Sequence, residues 1–345
     1  MTELVRTYGR GLTATFLGLT GIWIVLLIIV PQATMIEQSL WSKERGNAIS
    51  LEIDRAYTDL SMLEYDLGEA TDEAARAEKQ AEMAQLESRI AELEVQEQDP
   101  PKIYGLQNYT RMSGLHFGIF VKTIVYSIMV TVLALVVCYP IAYVIAHLST
   151  PNKAAILLLG LTVPYAINEL LRVYAWLMIL DYQGVINSLL AVLGFVDLDA
   201  REWIPFLEYS GSVFVALIYA YILFMVFPIY NTLETLDKNQ IEAAKDLGAS
   251  TWRTHWRVII PHAKPGIAVG CIMTFMLSAG SYSVPQIMTR GTSGDWFSQL
   301  IYRQFFESFN WNQGSAYAFT LLAVCILFIF LMMAVFRVGI RDIAK

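Results

Sequence analysis

Charge is sparse in this chain of 345 residues: Asp, Glu, Lys and Arg make up 16% of it, where soluble domains carry about 25%. Cysteine is nearly absent. The three present, Cys138, Cys271 and Cys325, lie in apolar stretches and form no C-x-x-C pair, which excludes a disulfide scaffold. No basic stripe exists, which excludes nucleic acid as a partner. No G-x4-G-K-[ST] phosphate loop occurs, so any nucleotide work belongs to another polypeptide. His255 and His262 stand seven apart with no Cys or carboxylate cluster to complete a metal site; they read as solvated loop residues, and no metal is expected. No Ser/His/Asp or Cys/His arrangement recommends a hydrolase. The chain is expected not to be an enzyme, to have no catalytic residue and to carry no cofactor of its own.

What is abundant is apolar surface. Hydrophobic residues reach 56% and the mean hydropathy is +0.48. The few charges are unevenly spread. Residues 43–101 hold 6 Lys/Arg and 16 Asp/Glu, a net of −10, while the other 286 residues carry a net of +3. An acidic, polar insertion therefore interrupts a greasy, mildly basic body.

A bilayer core of about 30 Å needs about 20 helical residues, because every backbone polar group must be satisfied internally. Uncharged runs of that length occur at Gly11–Ile36, Thr123–Asn152, Ser210–Leu233, Pro265–Thr289 and Asn312–Phe336. A sixth, from about Ala154 to Leu180, is interrupted by Glu169 and Arg172. The first run is too long for a secretion signal and no cleavage pattern follows Pro31, so it reads as a retained helix. The fold class is an all-α membrane protein with six transmembrane helices. With the N-terminus inside, the inner segments carry eleven Lys/Arg and the two short outer loops carry three, Arg201, Arg290 and Arg303. That bias puts both termini in the cytoplasm.

Three regions follow. Residues 1–42 form an N-terminal segment and first span, 43–101 an extracytoplasmic insertion, and 102–345 a five-helix core with an inner loop at 234–264. In the insertion, Ile53, Tyr57, Leu60, Leu63 and Leu67 share one helical face, and Met83, Leu86, Ile90 and Leu93 share another. Gly68 with Thr71 and Asp72 reads as a turn, and Pro100-Pro101 as a stop. A continuous helix of about 50 residues would run about 75 Å at 1.5 Å per residue. The next span must start near the end of the first, so an antiparallel helical hairpin is expected. It reads equally as a docking arm for an outer partner or as a solvated decoration.

The inner loop carries Glu242-Ala243-Ala244-Lys245-Asp246-Leu247-Gly248 and ends at Val258-Ile259-Ile260-Pro261. It predicts helix, turn, helix. Asp237 with Gln240, or Asn239 with Glu242, makes a capping box, Gly248 suits the left-handed position after a helix, and Ser250 caps the next. Trp252 and Trp256 put an aromatic ridge on one face. Pro261 and Pro265 are expected to break the chain before it re-enters the bilayer. A short helix with a small-residue face can seat in a groove on another protein; equally, Glu242 can merely cap and Gly248 merely turn.

The loop resembles the signature E-A-A-x3-G-x9-I-x-L-P of permease subunits of binding-protein-dependent ABC importers. Glu242, Ala243, Ala244, Gly248 and Pro261 match it, with Val258 and Ile260 as conservative departures. The likeness extends over roughly 104–338. Residues 106–109, 139–143, 169–176, 184–187, 310–311 and 314–316 are similar to the spermidine/putrescine-type branch. The acidic insertion departs from that branch's shorter outer loop, which leaves the solute open. The resemblance implies the type I importer permease architecture. It also implies a second permease subunit, identical or paralogous, a bacterial inner-membrane location, and a docked solute-binding protein, which 43–101 would contact if that insertion is the docking arm. An ATPase dimer would bind ATP and Mg and receive the helix at 239–248. The solute would be a polyamine or similar small organic cation, or a different small solute. A gradient-driven secondary transporter or channel is the alternative, although it leaves the E-A-A loop unexplained. A membrane-anchored sensor would need an output domain that this chain lacks.

Charges at a span centre cost about 2.5–3.5 kcal/mol each and face protein or water. Glu169 and Arg172, three apart, read as a pathway contact with Glu169 attracting a cation, or as a mutually neutralised pair; the second is preferred. Asn168, Tyr174, Trp176, Ser278, Ser281 and Tyr282 are further candidates for a polar passage, although Ser in membrane helices often serves packing.

Overall fold

The computed structural model describes residues 2–43, 52–53, 55–63, 73–98, 102–197, 200, 202–289 and 296–339. It is helical almost throughout. Six helical segments are long and apolar enough to cross a membrane: Arg6–Ser39, Gly114–Leu148, Glu169–Val192, Ser210–Glu234, Thr251–Gly280 and Trp311–Phe336.

The chain divides into two compact units. The first comprises residues 1–111 and 311–316. Its first span ends at Ser39 and runs into a two-stranded antiparallel ribbon, β1 (Trp41–Lys43) and β2 (Lys102–Tyr104). Trp41 pairs with Tyr104, Ser42 with Ile103 and Lys43 with Lys102. The return of the chain to the first span's end, expected from the need to start the next one nearby, is made by this ribbon. Side-chain amides fix it, because the carbonyls at a helix end have no intrahelical partner. Asn108 Nδ2 donates to Ser39 O at 3.0 Å and to Trp41 O at 2.8 Å. Asn312 Nδ2 donates to Gln38 O and Trp41 O, both at 2.8 Å.

Beyond the ribbon lie helical residues 55–63 and the helix Glu73–Gln98. Ile53, Ala56, Ile90 and Leu93 are buried there. Arg89 Nη2 pairs with Glu52 at 2.8 Å, and Tyr57 donates to Glu94 at 2.8 Å. The helices do pair, and both contacts join residues 37 apart. Tyr57, expected on the apolar face, is exposed, and Ala56 takes its place. Leu67, the turn at Gly68, Thr71 and Asp72, and the stop at Pro100-Pro101 lie outside the described residues.

The second unit comprises residues 112–310 and 317–345. The fourth and fifth spans pack together along their length, and the second packs on both. Backbone proximity makes this possible. A Cβ on Gly266 would strike the Pro228 carbonyl and the Thr232 hydroxyl, and one on Gly270 would meet Met225 Sδ at 2.8 Å. Small residues let membrane helices approach closely. Ala134, Cys138, Ala142, Met225, Ile229, Leu233, Ile259, Ala263 and Ile267 fill one core between these three spans. Elsewhere Phe275 stacks on Phe328 at 3.8 Å between ring centres, joining the fifth and sixth spans.

The run expected as the third span, 154–180, is not one helix, and the segment long and apolar enough to cross begins at Glu169. Helix Pro151–Thr162 passes into a 3-10 turn, Val163–Ala166, and a new helix runs Glu169–Leu180. Pro164 has no N–H for a continuing helix, and Asn168 caps the new one by accepting from Leu170 N at 2.9 Å. The fifth helix also departs from expectation. Pro261 and Pro265 do not break it: it runs from Thr251 through a π-helical turn, His255–Ile259, to Gly280. Pro261 lies in the first turn after that π-turn, where the hydrogen-bond pattern changes, and Pro265 is carried inside the helix. The segment ends at Ser281, and a separate short helix, Ser283–Met288, follows.

Candidate functional site: an intramembrane polar cluster and an exposed loop helix

Two places in the second unit bring candidate side chains together. The first is the loop between the fourth and fifth spans. Asp237 is the cap: its carboxylate accepts from Asn239 N at 3.0 Å, starting the helix Lys238–Asp246. Gly248 sits at φ +78°, in the left-handed region, where an L side chain is strained. Ser250 then caps the fifth helix, accepting from Arg253 N at 3.3 Å. Ile241 is buried, 7% exposed, in the core between the spans, so the loop helix is anchored by one apolar side chain. Its other face is open. Glu242, Ala243 and Lys245 are exposed and Ala244 is half-buried. Leu247 is 89% and Trp252 73% exposed, and Trp252 lies edge-on to Trp256 at 5.7 Å. Pro261 is exposed but sits inside the fifth helix, away from this short helix in sequence.

The histidines nearby are not solvated loop residues. Because the fifth helix begins at Thr251, they lie on its faces. His255 Nδ1 is 2.9 Å from Tyr139 Oη, and the Tyr143 ring lies 4.6 Å from its own. His262 Nε2 is 3.0 Å from Thr232 O and from Thr235 Oγ1. Sequence spacing gave no sign of these partners, which come from other spans. Among the described residues no group of three His, Cys, Asp or Glu is placed to hold a metal ion.

The second place is the break in the third span. Tyr165, in the 3-10 turn, donates its hydroxyl to Ala220 O at 2.8 Å and Tyr219 O at 3.2 Å, bonding the break to the fourth span. The Arg172 guanidinium lies over the Tyr165 ring, 4.2 Å from its centre. Such a cation–π contact is worth about 0.5–2 kcal/mol. Arg172 Nε and Nη1 are buried without a hydrogen-bond partner. Glu169 does not pair with Arg172. Its carboxylate accepts from Ser283 Oγ at 2.8 Å, on the short helix after the fifth span. The expected neutralised pair is therefore absent: the two side chains lie on one helix face, but each is held by a different neighbouring element. Tyr221, buried on the fourth span, faces Ser281 and lies within electrostatic reach of Glu169, Tyr165 and Arg172. The Ser281 hydroxyl is buried with no partner in hydrogen-bond geometry.

Of the predicted pathway residues, Glu169, Arg172 and Ser281 thus come together, with Asn168 as the cap beside them. The others do not join. Tyr174 is exposed on the same helix. Trp176 packs edge-on against Tyr219 at 5.5 Å. Ser278 donates back to Phe275 O within its own helix, and Tyr282 stacks on Tyr302 at 4.6 Å. Tyr165, Tyr221 and Ser283 were missed. Each is a common membrane residue alone, and only the meeting of three elements gives it neighbours.

Residues 4–343 match the family described as binding-protein-dependent transport system inner membrane component. The chain belongs to that family. It is a multi-pass inner-membrane permease component, as the loop signature implied. The spermidine/putrescine transport system permease protein PotB of Escherichia coli (strain K12) is 35% identical over 224 residues, 64% of this chain and 79% of that protein. Its namesake from Haemophilus influenzae is 30% identical over 226 residues, 65% and 77% of the two chains. In fold, this permease resembles a bacterial ABC transporter involved in the import of the acidic polysaccharide alginate. The TM-score is 0.52 at 15% identity, covering 73% of this chain and 89% of the other.

Proposed function

We propose that this permease, with a second permease subunit, forms the solute path of an ATP-driven importer, and that the helix Lys238–Asp246 transmits the stroke of a separate ATPase dimer. The observation that carries this reading is the capped loop helix itself. It is anchored through Ile241, terminated at Gly248, and bordered by the exposed Leu247 and Trp252. An exposed apolar side chain next to a rigid helix with a small-residue face fits a groove on a partner. ATP and Mg belong to that partner, and the Lys/Arg bias puts the loop and both termini in the cytoplasm. A solute-binding protein delivers the solute from outside, and the acidic insertion 43–101 is a candidate for its docking. The solute is a polyamine or similar small organic cation. The names of the relatives support this, and so does Glu169, a carboxylate within a span that is free of an ion-pair partner.

The test uses the complete transporter in proteoliposomes. Gly248→Leu, which forces a branched side chain into a left-handed conformation, and Glu242→Lys are expected to leave the chain in the membrane while ATP hydrolysis no longer drives uptake. Unchanged coupled transport in both would overturn the coupling role. Gradient-driven uptake by the permease without any ATPase would overturn the importer reading itself.

A further inference from the structure

Glu169 and Arg172 stand three positions apart on one helix, close enough to pair, and opposite charges at membrane depth gain by pairing. They do not pair. Arg172 lies on the Tyr165 ring at 4.2 Å. Tyr165 is itself fixed by bonds to Ala220 O and Tyr219 O of the fourth span. Glu169 is oriented by Ser283 Oγ at 2.8 Å and is exposed. The guanidinium lies on an aromatic face and not on the carboxylate, and its Nε and Nη1 are buried without hydrogen-bond partners.

We propose that Tyr165 is a positioning residue: by holding Arg172 on its ring it keeps the Glu169 carboxylate unpaired, and so available to an ammonium group of a cationic solute. This rests on the polyamine reading above. The chemistry is simple competition. An alkylammonium and a guanidinium seek the same carboxylate oxygens, so whatever retains the guanidinium elsewhere raises the affinity of the site for the solute. Ser283, as a neutral donor, orients Glu169 without cancelling its charge. The other groups around the cluster, Tyr221 and the unpartnered Ser281 hydroxyl, are neutral and leave that charge in place.

Two measurements test the proposal and separate it from the reading beneath it. The first is a stability cycle on the purified transporter, using Glu169→Gln, Arg172→Gln and the double variant. With Tyr165 present the two positions should be uncoupled. In a Tyr165→Leu background a favourable coupling should appear. Coupling in the native background, or none in the Leu background, overturns the positioning role whatever the solute. The second measures uptake of radiolabelled spermidine. Tyr165→Leu should raise KM about tenfold, equivalent to about 1.4 kcal/mol, and adding Arg172→Gln should restore it, a rescue that a merely structural role for Tyr165 would not give. If Glu169→Gln leaves KM unchanged, the carboxylate is not a solute contact and the inference falls. If the native transporter binds and hydrolyses ATP but takes up no spermidine, the polyamine reading falls with it, while the stability cycle still decides the positioning role.

Discussion

Tyr139 Oη lies 2.9 Å from His255 Nδ1, tying the second span, one residue before Pro140, to the π-turn at the start of the fifth helix. The bond joins the segment that follows the loop helix to a span on the other side of the core. Tyr143, one turn on, adds its ring to the same imidazole.

Removing that tie should loosen the joint without unfolding the bundle. Tyr139→Phe is expected to cost about 1–3 kcal/mol, the cost of an unpaired part-buried polar group. His255→Ala should cost more, because the Tyr143 contact goes too, and His255→Asn should recover part by presenting a polar atom near Nδ1. Thermal unfolding of the complex in detergent checks the order of the three.

Gly266 predicts a sharper effect. A methyl group there meets the Pro228 carbonyl, which is backbone and cannot turn aside, whereas at Gly270 the nearest atom is the flexible Met225 sulfur. Gly266→Ala should therefore destabilise by about 1–3 kcal/mol, typical of overpacking, and Gly270→Ala by less. Unfolding midpoints of the two variants give the comparison.

The insertion should be separable. Lys43 and Lys102 face each other across the ribbon, so replacing residues 44–101 by Asn-Gly offers a two-residue hairpin turn. Asn108 and Asn312 would still hold the ribbon. Six spans and membrane insertion are expected to persist, as protease accessibility of tags in the loops would show. Loss of affinity for the solute-binding protein in that variant marks residues 44–101 as a docking arm; unchanged affinity marks them as a decoration.

The ribbon also carries a pH signature. Tyr104 donates to Glu37 at 3.1 Å, and this bond to a carboxylate, followed by desolvation and the carboxylate's charge, holds its phenol above 10.0. A folded-state value above the unfolded one means the stabilisation is complete below pH 10.0 and is lost as pH rises through the elevated value. Glu37→Gln should return this titration toward the ordinary value, read as phenolate absorbance and assigned by its loss in Tyr104→Phe.

The sequence by itself determined the class. Runs of apolar residues long enough for a bilayer are a one-dimensional property, and so is a local signature such as Glu242-Ala243-Ala244 with Gly248, whose cap and left-handed glycine act within a few residues of chain. Both were legible, and the fold and the family agree with them. What only the tertiary structure decided depends on which elements meet. Three-residue spacing said that Glu169 and Arg172 can pair; Ser283 and Tyr165, brought from a later helix and an earlier turn, hold them apart. Spacing alone likewise puts His255 and His262 in solvent, whereas the extension of the helix back to Thr251 turns them toward the second and fourth spans. Helix periodicity fixes a side chain's own face, but its partner comes from another segment, and that choice is made by packing rather than by spacing.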